Sequence, residues 1–200
     1  MGVIILNKLI FTSHGLTNPI GRRLIKNELL AGKSDLKDKK IFVFHEPYYF
    51  LHDYHIEVLL DMGFQKENII MSGPNINIKD VFDADIYYVT EGNTFEVLDL
   101  LRKRNIDTLL QECFKHDGKL FIGCSAGAAI AGISVEEIQD FERNYVKMTN
   151  YTALGLFDGI IIPHYTKKEL ARYIKNSPGI ENKYKQILSV ANTRRLVMYV

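Results

Sequence analysis

The stretch Lys119-Leu120-Phe121-Ile122-Gly123-Cys124-Ser125-Ala126-Gly127 decides how this chain is read. Its apolar run predicts a buried strand, and it ends in the Gly-x-Ser-x-Gly pattern of a strand-to-helix nucleophile elbow. The reason for the pattern is steric: a side chain on so sharp a turn sits on strained backbone, so its neighbours must be small. Gly123 and Gly127 meet that need, and Ala126, Ala128 and Ala129 let the next helix start close to the sheet. Such a turn exposes Ser125 Oγ at a helix start, where free N–H groups can face an oxyanion. Small residues between a strand and a helix also occur in plain βα turns, so the pentapeptide is weighed with the rest of the chain.

Outward from the elbow, apolar β-branched runs alternate with helical patterns. That alternation predicts a three-layer α/β fold with a mostly parallel central sheet and helices on both faces. The expected strands are 8–13, 40–45, 68–72, 85–90, 119–123, 158–162 and 195–200. The expected helices are 19–31, 52–63, 93–104, 106–116, 126–133, 167–175 and 181–188. Ser34 to Lys40 reads as a polar connection, and Ser72-Gly73-Pro74-Asn75 as a turn. No repeat or linker divides the chain, so residues 1–200 are expected to form one domain. In such sheets functional residues lie beyond the carboxyl ends of the strands. Thr90 to Thr94, Cys124 to Gly127, and Pro163 to Thr166 each follow an apolar strand and are expected to converge on one sheet edge.

Composition narrows the function classes. The chain has 200 residues, 46% of them hydrophobic and 24% charged, with a formal net charge of +1. These values are ordinary for a globular protein and give no nucleic-acid footprint. The apolar runs are too short to span a bilayer. Met1 to Leu6 lacks a basic leader and a cleavage pattern, so no signal peptide is expected. Two cysteines, Cys113 and Cys124, make neither a disulfide framework nor a metal-site spacing. A cytoplasmic protein is the expectation, with no metal, no cofactor, no nucleic-acid partner and no membrane contact.

A serine hydroxyl needs a base to take its proton and donors to hold the oxyanion. His164 follows Gly159-Ile160-Ile161-Ile162-Pro163 at a strand end and is the expected base. A lone histidine there is otherwise a structural hydrogen-bonding residue, but the upstream elbow favours the catalytic role. The expected oxyanion donors are the N–H groups of Ala126 and Gly92, the latter in Glu91-Gly92-Asn93-Thr94-Phe95. Asn93 and Thr94 serve either as helix caps or as contacts to substrate.

Together these segments resemble the S51 serine peptidase family of peptidase E-type aspartyl dipeptidases, whose fold is like that of class I glutamine amidotransferases. The family's Gly-x-Ser-Ala-Gly-Ala is matched by Gly123 to Ala128. Its Gly-Gly-Asn-Thr-Phe is matched by Glu91 to Phe95, with a departure at Glu91. Its Ala-Leu-Gly-Leu-Phe and Pro-His-Phe-Thr are matched by Ala153 to Phe157 and Pro163 to Thr166. The likeness covers about residues 85–170. It implies Ser125 as nucleophile and His164 as base. It also places Asp140 where the family has an aspartate near the histidine, with Glu136 and Glu137 as neighbours. The family's other candidate, a glutamate late in the chain, has no counterpart, because Ala191-Asn192-Thr193-Arg194 carries no carboxylate. The loop after the histidine is shortened to Lys167-Lys168-Glu169-Leu170-Ala171-Arg172. Arg172, Lys167 and Lys168 are therefore candidates for a substrate carboxylate, against the plainer reading of an exposed helix face. The chain also ends at Val200, short of the family pattern.

Two further features bear on the reading. Cys124 invites a cysteine-amidase reading, but it is the second residue of the pentapeptide and is expected to point into packing. His45, His52 and His55 are close in sequence, with Tyr48, Tyr49 and Tyr54 around them, and read as a cleft wall or subunit contact before a zinc site. The resulting expectation is a flavodoxin-like α/β domain, monomer or homodimer, that cleaves short peptides through Ser125, His164 and Asp140. The alternatives are another acyl hydrolase (an amidase or esterase) or a catalytically silent binding protein of the same fold.

Overall fold

The computed structural model describes residues 6–31, 36–45, 51–116 and 118–200. Met1 to Ile5, Ser34, Tyr48 and Tyr49, on which parts of the sequence reading fell, lie outside these residues. Eight strands are present among them, β1 (Lys8–Thr12), β2 (Ile41–Phe44), β3 (Ile69–Met71), β4 (Ile86–Val89), β5 (Leu120–Cys124), β6 (Ile160–Pro163), β7 (Ile187–Val190) and β8 (Arg195–Tyr199). Six form one sheet in the order β3-β2-β4-β5-β1-β8. All its neighbours are parallel except β1 and β8.

Side chains alternate across this sheet, as the pleat requires. Leu9, Phe11, Phe42, Tyr87, Val89 and Phe121 face one core, where α3 (Ile78–Phe82), α4 (Thr94–Lys103), α5 (Ile106–Cys113) and α6 (Ala126–Ile130) pack. Ile10, Ile41, Val43, Tyr88 and Ile122 face the other, against α1 (Pro19–Ala31) and α2 (His52–Met62). Apolar strands buried on both faces are what a parallel sheet between helices demands. The helices start where the chain supplies caps. Asn93 Oδ1 accepts from the Phe95 and Glu96 N–H groups at the start of α4. Thr166 and Glu169 form a reciprocal capping box at α7 (Lys167–Asn176).

The C-terminal third corrects the sequence reading. The expected helix 181–188 is one turn, α8 (Ile180–Lys183), followed by β7, which pairs in parallel with β6 from Ile160↔Ile187 to Pro163↔Val190. These two strands form a separate sheet rather than joining the central one. Ile160 and Ile162 pack on Leu170, Ile180 and Tyr184, while Ile161 and Val190 face the main core. Ile187 to Val190 holds too few residues for its period to distinguish helix from strand, so the partner β6 decides. The helix α3 and the 3-10 turns at Lys66–Asn68 and Glu136–Asp140 are additional to the elements expected from the sequence. Among the described residues no helix is long and apolar enough to cross a membrane.

Candidate active site

The elbow at the end of β5 has the geometry its sequence dictates. A Cβ on Gly123 would lie 2.6 Å from the Gly127 carbonyl oxygen, and one on Gly127 would lie 2.2 Å from the Val89 carbonyl oxygen. Only glycine fits at either place, which is why the turn can press against β4. Ser125 sits between them at φ 50° and ψ −108°, a conformation that costs of order 1–3 kcal/mol and persists only where the surroundings impose it. Its N–H donates to the Thr12 carbonyl at 2.9 Å, locking the turn to β1. The helix that follows is short, five residues, so any oxyanion stabilisation falls to individual amides rather than to a helix field.

Ser125 Oγ lies 2.9 Å from His164 Nε2. The other ring nitrogen, His164 Nδ1, lies 2.7 Å from Asn192 Oδ1. With the amide oxygen facing it, Nδ1 carries the proton, and the Nε2 lone pair is left to accept from the serine hydroxyl. His164 is itself at φ 65°. Its N–H donates to Ser13 Oγ at 2.8 Å, and Ser13 Oγ donates to the Val190 carbonyl at 2.5 Å. Ser13, just past β1, therefore joins the small sheet to the large one where their carboxyl ends meet. The His14 ring lies edge-on to His164, with centroids 5.6 Å apart. Sequence reasoning missed Ser13, His14 and Asn192. The signal for the first two was their place at the end of β1, an edge position like those already singled out.

The other expected site residues are placed as follows. Gly92 is at φ 153° beyond β4. Among the described residues neither its amide nor that of Ala126 donates to a backbone acceptor. Glu91, the departure from the family pattern, turns back beneath the loop after β1. Thr17 Oγ1 donates to its Oε1, and a Cβ on Gly15 would collide with its Oε2. Asn93 is committed to capping α4 and donates through Nδ2 to the Arg143 carbonyl at 3.0 Å. Thr94 is fully buried, and its N–H donates to Glu142 Oε2 at 2.8 Å.

Asp140 is not brought to the histidine; its Oδ2 accepts from the Tyr173 hydroxyl at 2.8 Å. Glu136 and Glu137 pair with Lys183 at 2.7 and 2.8 Å. The three acids tie the 3-10 turn Glu136–Asp140 to α7 and α8, a role for which a carboxylate spacing gives no warning. Burial, and then Asp140, push the Tyr173 phenol well above its ordinary range. Arg172 is exposed on α7 and lines a side cavity with Tyr165, Glu169 and Tyr173.

Cys124 points into the sheet interior, with Sγ 3.1 Å from Thr12 Oγ1. Burial, and then the nearby Glu91 charge, hold its thiol well above the ordinary cysteine range. A thiol kept protonated is no nucleophile. His45, His52 and His55 cluster at the end of β2 and the start of α2, with His45 and His52 rings 5.2 Å apart. Burial first, then the charges of His45 and His52, lower the His55 pKa to about 4. Among the described residues no group of three or more His, Cys, Asp or Glu is arranged to hold a metal ion.

An elbow-borne serine paired with a histidine at the carboxyl edge of a parallel sheet defines an α/β protein with a serine–histidine site. The profile of peptidase family S51 matches residues 50–198, and the chain belongs to that family. It is 42% identical over 95 residues to an uncharacterized peptidase of Listeria monocytogenes, covering 45% of this chain and 46% of that protein. It is 32% identical over 118 residues to peptidase E of Shewanella amazonensis, covering 58% and 48%. The chain thus spans about half the length of the curated relatives it matches. Among solved structures, a candidate peptidase E from Listeria monocytogenes superposes with a TM-score of 0.71 over 97% of this chain and 95% of that one, at 24% identity. A peptidase from an acI-B1 Actinobacterium does so at 0.60 over 97% and 84%, at 17% identity. At those identities the likeness establishes the fold.

Proposed function

We propose that this protein is a serine-type peptidase acting on short peptides, with Ser125 as nucleophile, His164 as general base and Asn192 as the residue that orients the imidazole. The observation that carries the reading is the 2.9 Å contact between Ser125 Oγ and His164 Nε2 on a strained elbow. Ser125 Oγ attacks the scissile carbonyl as His164 Nε2 takes its proton. The Gly92 and Ala126 N–H groups receive the oxyanion. As the tetrahedral intermediate collapses, Nε2–H gives its proton to the leaving amine. Water, deprotonated by the same nitrogen, then cleaves the acyl-enzyme. No step needs a cofactor. Two buried cysteines without a disulfide fit a reducing cytoplasm.

The test is hydrolysis of a dipeptide panel, with N-terminal Asp, Glu and neutral residues, by wild-type protein and by Ser125→Ala. Turnover that survives in the folded variant removes the mechanism. Simple esters and amides in the same panel separate a peptidase from another acyl hydrolase. The amide at the Nδ1 position supports a second reading, a catalytically silent binding protein. Failure of Ser125 in folded protein to react with a fluorophosphonate would favour it.

A further inference from the structure

An oxyanion donor is effective only if it is held in place before the reaction, so that no reorganisation falls within the chemical step. Gly92 has little of its own to hold it, since glycine is the residue whose backbone moves most freely. Among the described residues, no backbone group of Glu91 or Gly92 hydrogen-bonds another backbone group. The segment is tied before it, where the Thr90 N–H donates to the Phe44 carbonyl at 3.0 Å, and after it, where Asn93 caps α4. Between those points, among the described residues, the main chain is tied only by the Thr90 hydroxyl, which donates to the Glu91 carbonyl at 3.3 Å.

The Glu91 side chain supplies a second tie. Its Oε1 accepts from Thr17 Oγ1, and its Oε2 is buried with no hydrogen-bond partner among the described residues. A buried carboxylate oxygen without a donor is costly, so packing and the Thr17 bond must hold it there. Gly15 makes the room, because a Cβ at that position would collide with Glu91 Oε2 and with the Tyr88 hydroxyl. The loop that Glu91 grips, residues 13–17, is the one that also meets the base. Ser13 accepts from the His164 N–H, the His14 ring lies against His164, and the Leu16 N–H donates to the Tyr88 hydroxyl at 2.9 Å. Thr12, just before the loop, holds the Ser125 N–H. One short stretch thus touches the nucleophile segment, the base and the residue next to Gly92. We infer that Glu91 is a positioning residue: its carboxylate, held by Thr17 and seated on Gly15, fixes the Gly92 N–H relative to Ser125 and His164. The carboxylate lies beneath the loop, so it acts through Gly92 and not on the substrate. This rests on the serine–histidine reading of the site.

Labelling of Ser125 by a fluorophosphonate, followed over a range of reagent concentrations, tests it. The phosphoryl oxygen of the reagent takes the oxyanion position. A displaced Gly92 N–H therefore lowers the maximal labelling rate and leaves the half-saturating concentration unchanged. Glu91→Ala and Thr17→Val are each expected to lower that rate about tenfold. The double variant should be no slower than either single one, because both remove the same tie. Glu91→Gln keeps an acceptor and Thr17→Ser keeps a donor, so each should recover most of the rate. Thermal melting checks that every variant is folded, and Thr17→Val carries the test if Glu91→Ala does not fold. Wild-type labelling kinetics in a folded Glu91→Ala or Thr17→Val protein overturn the inference. So do additive losses in the double variant, or a loss that the conservative variants fail to recover. Wild-type protein that is not labelled, or is labelled equally after Ser125→Ala, overturns the serine–histidine reading and the inference with it.

Discussion

Replacing Asn192 tests the site most sharply, because the amide holds His164 but brings no charge to it. During proton transfer the imidazole becomes a cation, and a neutral Oδ1 at 2.7 Å stabilises that cation only through its dipole. A carboxylate there adds a charge pair worth about 1 kcal/mol at about 4 Å in a water-like dielectric. The pair is exposed, so the high-dielectric figure is the one that applies. Asn192→Asp should therefore raise kcat/KM about fivefold at low ionic strength, an advantage that fades as salt screens it. Asn192→Ala removes the acceptor and releases the ring. A lost hydrogen bond of about 1–1.5 kcal/mol predicts a fall of about tenfold in kcat/KM. Asp140→Asn is the control, since Asp140 bonds Tyr173 and not His164, and should leave kcat/KM within about twofold. The rate of Ser125 labelling by a fluorophosphonate reads the same quantity without a peptide. If Asn192→Ala were silent while Asp140→Asn suppressed labelling, the assignment of the third residue would be wrong.

Four other outcomes follow from the packing. Gly127→Ala forces a Cβ to 2.2 Å from the Val89 carbonyl oxygen and should lower stability by several kcal/mol, seen as a large drop in Tm. Gly63→Ala meets no neighbouring atom but is strained by φ 107°, and should cost about 1–2 kcal/mol. Buried His55 stays neutral in the folded state down to about pH 4, whereas the unfolded chain takes up its proton near pH 6.5. Stability is therefore expected to fall as pH drops from about 6.5 to 4, by up to about 3 kcal/mol from this residue. His55→Phe should flatten that part of the urea-midpoint profile, and an unchanged slope would mean that His55 is not its source. Cys124→Ser should retain turnover, and iodoacetamide should leave Cys124 of the folded protein unmodified; rapid alkylation would contradict its buried, protonated state.

Local chemistry makes much of this protein legible in its sequence. The elbow is readable because its constraint is short-range: glycine is needed where the chain folds back within four residues, and Gly123 and Gly127 are those residues. Cys124 could be assigned to packing because register within a pentapeptide fixes which side chain faces out. The strands of the central sheet and the long helices follow from periods that a run of several residues displays. Asn93 as the cap of α4 follows from its position before an apolar turn.

What local chemistry does not carry is the partner of a side chain across the fold. Asp140 and Asn192 lie 24 and 28 residues from His164 in opposite directions, and neither sequence neighbourhood says which reaches the ring. Preference for a carboxylate pointed to Asp140. The structure instead gives that carboxylate to Tyr173 and carries Asn192 to His164 at the exit of β7. β7 exists as a strand because β6 lies beside it, and Ser13 then sets both against the end of β1. The sequence by itself determined the layered α/β class, the elbow and the serine–histidine candidates, since each rests on contacts between near neighbours or on a repeating period. Only the tertiary structure decided the second sheet and the residue behind His164, because those depend on which distant segments share one edge of the fold.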